Sequence, residues 1–219
     1  MIPSEAGTAQ PARVTAPPHS ALARLAGPLA ISAGALMTVA QLVWLPFDPK
    51  DHQATALDPV FEAGSIAYFV AFCLLLLTLV AAYGWEEREA GTLGVVGVSA
   101  AIVGTMALGG DLWFEAFAVP WLAGAAPDAL ESAPSVLLAL GALSSYALFS
   151  VGWVLFGIAS LRARVFPAPI SVAVVVGGVS GYNALLSPYG VPLGLAVAWL
   201  GVWMVRRRRV ADDHGVDRS

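Results

Sequence analysis

Histidine, lysine and cysteine are nearly missing from this sequence, and each scarcity removes a class of chemistry. The three histidines, His19, His52 and His214, all fall in tails or a loop. Metal sites built on histidine, Ser-His-Asp triads and histidine-dependent membrane isomerases therefore lose their key residue. The one cysteine, Cys73, sits in an apolar run. It cannot form an intrachain disulfide, and it reads as a small packing residue. No phosphate-cradling glycine loop, dinucleotide fingerprint or Asp-rich diphosphate motif occurs. "GWEEREAG" carries the Glu86–Glu87 pair but lacks the arginine spacing and downstream histidines of intramembrane prenyl proteases. No metal, cofactor or nucleic-acid partner is expected.

Charge is the deepest shortage. Only 12% of the 219 residues are charged, and 58% are apolar. A soluble domain usually carries about 25% charged residues, so too little polar surface exists here to cover a water-soluble globule. The apolar residues fall in blocks about 20 long, enough to span a hydrocarbon core about 30 Å thick. No short alternating segments of the kind that build a β-barrel are visible. The expected fold class is all-α: a polytopic membrane protein, a bundle of six transmembrane helices.

The spans are expected at 21–46, 60–85, 91 to somewhere between 110 and 122, 134–161, 167–186 and 190–205. The last two are joined by "SPYG", a tight turn with Pro188 and Gly190. Residues 1–20, rich in Pro, Ala, Ser and Thr, read as a disordered tail and as a poor signal peptide. Residues 206–219 read as a basic, then acidic tail. All arginines thread to one side: Arg13, Arg24, Arg88, Arg162, Arg164, Arg206–Arg209 and Arg218. The other side has only Lys50 among Asp48, Asp51, Asp58, Asp128 and Glu131. The positive-inside rule then puts both termini in the cytoplasm and requires an even number of spans. The expected location is the cell membrane, multi-pass. The abundance of Ala, Gly, Val and Arg suggests a bacterial, GC-rich source. Arg206–Arg209 reads first as a stop-transfer anchor, and alternatively as a site for an anionic lipid.

The third span holds the main chemical signal, "GGDLWFEAFAVPWL" from Gly109 to Leu122. Asp111 and Glu115, at i and i+4, would stack on one helix face. Gly97, Ala100, Gly104 and Ala107 run into them at three- and four-residue steps, a spacing that lets helix backbones approach closely. The acids are therefore expected on the packing side, with Trp113 and Phe117 on a lipid-facing side. Whether Gly109–Gly110 ends the helix decides between an interfacial belt and a site inside the bundle. Gln41, Glu62, Ser65, Tyr182 and Asn183 thread to the same outer depth, and together they suggest an acidic, hydrogen-bonding pocket.

Two carboxylates close together in a low dielectric cannot both ionise cheaply, so one is expected to keep its proton. No Lys or Arg lies within the spans around them to form a structural salt bridge. Three uses follow. The first is a non-enzymatic protein that binds a small lipophilic or cationic ligand through Glu62, Gln41, Trp113, Tyr182 and Asn183. The second is an intramembrane enzyme with Asp111 or Glu115 as general acid on a lipophilic, terpenoid-like substrate. The third is a proton-coupled carrier, whose small size would favour a homodimer. In size, helix count and isolated acids the chain resembles the small integral-membrane terpene cyclases. No motif of theirs aligns with it, and no residue role is carried over.

Overall fold

The structure, a computed structural model, describes residues 21–48 and 52–216. The expected tail 1–20, Lys50, Asp51 and Arg218 lie outside the described residues. Within them the chain is helical, without a strand.

Helix α1 spans Ala21–Trp44 and includes Pro28. The short α2, His52–Ala56, follows. Next comes one helical run, Pro59–Trp113, with non-helical backbone at Gly91 (φ 56°, ψ −154°). This is a region open essentially to glycine alone. The chain reverses there, dividing the run into α3, Pro59–Trp85, and α4, Gly91–Ala125. The two limbs lie side by side: the rings of Phe69 and Phe117 meet at 5.8 Å, and Gly109 lies against Phe72. Asp58 starts α3 as its N-cap, its carboxylate accepting from Val60 N at 2.8 Å, with Pro59 just inside.

Gly109–Gly110 does not end α4. The helix continues and widens into a π segment at Phe114–Ala118 before resuming to Ala125. Pro120 accounts for the widening. It has no N–H for the carbonyl four residues back, and its ring would crowd that carbonyl in a regular turn. Val119 N instead bonds to Phe114 O, closing the wider loop.

Beyond α4 come α5, Pro127–Glu131, and α6, Val136–Ala163, capped by Ser135 and ended by Arg164 in the left-handed region (φ 54°). Helix α7, Ala168–Ser180, runs into a 3-10 turn, Gly181–Asn183. Helix α8, Val191–Val216, carries on through Arg206–Arg209.

Small residues set the packing. A Cβ on Gly97 would stand 3.0 Å from Leu155 O, and Gly104 and Gly152 face α6 and α4 backbone just as closely. The stripe expected from sequence is therefore the α4–α6 contact. Gly27 and Gly34 on α1 meet Gly201 and Gly194 on α8 in the same way. Across the interior an aromatic file links Trp44, Tyr68, Phe72, Phe149, Trp153 and Phe156, with successive centroids 5.0 to 6.3 Å apart. Trp153 Nε1 donates to Thr105 Oγ1 at 3.0 Å, joining α6 to α4.

Four helices are long and apolar enough to cross a membrane: Arg24–Trp44, Pro59–Trp85, Gly91–Ala125 and Val136–Ala163. Helix α7, with 13 residues, reaches about 20 Å. The apolar part of α8 stops at its arginines. The chain is thus a helical protein with the segments of a membrane protein.

Candidate functional site

At the end of the bundle away from Arg24 and Arg208, a cavity of about 410 Å³ opens. Its aromatic wall comes from the end of α1 and the start of α3: Trp44, Phe47 and Phe61. Trp44 and Phe61 stack at 5.3 Å, and Phe47 meets Phe61 edge-on at 5.3 Å. Trp44 Nε1 is buried without an acceptor and lies close over Gly64, where a Cβ would stand 3.1 Å from it. The opposite wall is the stretch Leu185–Ser187 between α7 and α8. Two acids, Asp48 beyond α1 and Glu115 in the π segment, line the space with Tyr146 of α6. Among the described residues no basic side chain lines it.

Gln41 holds the Leu185–Ser187 wall in place. It is fully buried, and its Nε2 donates to Ala184 O at 2.8 Å while its Oε1 accepts from Gly190 N at 3.1 Å. Its carbonyl accepts from Ser187 Oγ at 2.6 Å. Tyr68 OH donates to the same Ala184 O at 2.8 Å. The amide of Gln41 is thus spent on the turn joining α7 to α8 and points to no ligand.

Asp111 sits on the α6 side of α4, as its phase predicts, and its Oδ2 accepts from Ser145 Oγ at 2.7 Å. Glu115, one turn on, lines the cavity. Tyr146 of α6 lines the cavity with it. Neither acid is buried: each is half-buried, and Glu62 is exposed. The expected buried carboxylates are corrected accordingly. The acids belong to the splayed end of the bundle, where the π segment and the connecting turns leave open space.

Of the residues singled out from sequence, the structure brings Asp111 and Glu115 together and places Gln41 behind the cavity wall. Glu62, in the first turn of α3, does not line the cavity although its neighbour Phe61 does. Trp113 is exposed and pairs with Phe117 at 5.9 Å. Tyr182 and Asn183 are exposed on the 3-10 turn, outside the cavity lining. Sequence reasoning missed Asp48, Trp44, Phe61, Ser145 and Tyr146. The signal for Ser145 was present: it shares the buried face of α6 with Phe149, Gly152 and Phe156 at helical spacing. Among the described residues no three His, Cys, Asp or Glu side chains gather as a metal site.

Compared with known proteins, the chain matches no family model, no curated protein and no solved structure.

Proposed function

We propose that the chain is a six-span membrane protein, with both termini cytoplasmic, that binds a small ligand carrying a positive charge on an apolar body. The observation behind this reading is one cavity lined by the Trp44, Phe47 and Phe61 rings together with the Asp48 and Glu115 carboxylates. Aromatic faces and carboxylates both attract an organic cation. A volume of about 410 Å³ falls in the range of small-molecule sites. The six spans follow from adding α7 and α8 to the four long helices. Their even number agrees with Arg24 and Arg208 meeting at one end. The arginines make that end cytoplasmic, and the cavity then opens outward from a bacterial cytoplasmic membrane.

The test is titration of the full chain in lipid nanodiscs with benzyltrimethylammonium, followed by tryptophan fluorescence, against uncharged benzyl alcohol. The cation is expected to bind preferentially. Glu115→Gln and Asp48→Asn are each expected to weaken it about tenfold, equal to about 1.4 kcal/mol. Equal binding of both probes, or unchanged affinity in both variants, removes the reading.

A second reading makes the same cavity catalytic, with Glu115 as general acid on a lipophilic, terpenoid-like substrate. Favouring it is Tyr146, which lines the same cavity as Glu115. A changed lipid-metabolite profile in a host expressing the wild type but not Glu115→Gln would select it. The carrier reading, and the homodimer it calls for, is the least supported. Its acids would need to lie between two movable halves, whereas Glu115 lines a cavity at the bundle end.

A further inference from the structure

The opposite end of the bundle holds a second cavity, of about 250 Å³, with a different character. Arg24, Arg208 and Arg209 line it, and Pro28, Trp85 and Val205 form its apolar floor.

Its construction begins with Pro28. In a regular helix the N–H of residue 28 would bond to Arg24 O, and proline has none to give. That carbonyl is taken instead by Arg208, whose Nη1 donates to it at 3.2 Å. Gly27 and Gly201 draw α1 and α8 together just below, so the two helices bring their arginines to one wall. Not every arginine of the run joins in. Arg207 turns away to lie over the Trp203 ring at 5.7 Å from its centroid, and Arg206 is not part of the lining. A generic anchoring run needs only charge near the headgroups. Here two of four consecutive arginines, plus one from α1, line one cavity with a tryptophan and a proline.

We propose that this cavity binds a phosphate group, carried by an anionic lipid headgroup or free in solution. Guanidinium groups match phosphate oxygens in bidentate pairs. The floor of Pro28, Trp85 and Val205 suits the glycerol and upper acyl carbons of a lipid. The proposal stands on the chain lying in a membrane, and it is independent of what the cavity at the other end binds.

The test reconstitutes the full chain in nanodiscs of phosphatidylcholine containing phosphatidic acid, or phosphatidylserine at matched charge, or neither, with inorganic phosphate added. Lipid retained through purification is read by native mass spectrometry, and phosphate affinity by calorimetry. Phosphatidic acid is expected to be retained over phosphatidylserine. The variant R24K/R208K/R209K keeps every charge, and with it membrane orientation, while losing the paired geometry. It is expected to lower that retention about fivefold or more, the order of one surface cation's worth. The control R206K/R207K is expected to match the wild type. Phosphate binding in phosphatidylcholine alone, lost in the triple variant, assigns the site to soluble phosphate. Equal retention of the two anionic lipids without phosphate binding, or a triple variant that behaves as wild type, overturns the proposal.

Discussion

Ser145 donates a 2.7 Å hydrogen bond to Asp111 across the α4–α6 contact, and shares the same proton with Gly141 O at 2.9 Å. This ties the first acid to the neighbouring helix. The second, Glu115, lines the cavity one turn further on. Ser145→Ala is expected to cost about 0.5–2 kcal/mol, the range of interhelical hydrogen bonds in membranes. Asp111→Asn keeps an acceptor and is expected to cost less. A double-mutant cycle on thermal unfolding in detergent checks the coupling, and additive single effects would show that the bond carries no stability.

Gly104 and Gly110 lie on one helix and should respond oppositely to alanine. The Gly104 position faces Leu148 and Phe149 backbone with no room for a methyl, whereas Gly110 has nothing within 4 Å. Gly104→Ala is expected to abolish the folded state or lower the melting midpoint sharply. Gly110→Ala is expected to be neutral or to stabilise by up to about 1 kcal/mol through helix propensity. Circular dichroism melts of the two variants decide it.

Gly91→Ala tests backbone geometry in isolation, because a Cβ there meets no neighbour within 4 Å. The strain of φ 56°, ψ −154° alone is expected to cost about 1–3 kcal/mol. An alanine variant as stable as the wild type would mean that the reversal tolerates another conformation.

Gln41→Leu preserves bulk but strands Gly190 N and removes one of the two donors to Ala184 O. A lost buried partner costs about 1–3 kcal/mol. Since Leu185–Ser187 line the cavity, weaker benzyltrimethylammonium binding is expected alongside the lower melting midpoint. Reduced stability with unchanged affinity would separate the turn from the site.

Much of the helical pattern was legible. The second span, read as 60–85, is Pro59–Trp85, and the third begins at Gly91 as expected. The Gly97–Gly104 stripe pointed at its partner because close backbone approach needs small residues at a fixed period. The π segment was not legible from hydropathy: Pro120 gave a local cause, but the widened loop shows only in three dimensions. The cavity was hidden for a related reason. Asp48, Phe61 and Tyr146 are far apart in sequence, and no period links a helix end, a helix start and a helix middle. Glu62 looked like a site residue from its depth alone, yet one position separates it from the lining residue Phe61, and that step of 100° turns it outward.

The single-residue reversal at Gly91 makes the two limbs of its hairpin a caliper. Asp111 stands 20 residues beyond it, about 30 Å along the helix. The helical run continues through 86–90 to Gly91 without a loop, so a residue inserted between Gly91 and Asp111 would advance the acids by about 1.5 Å and swing them by about 100°. Asp111 would leave Ser145, and Glu115 would leave the cavity. The connection around 132–135, exposed and outside the helices, has no such duty. Length changes in this protein should therefore be borne there and refused in the hairpin.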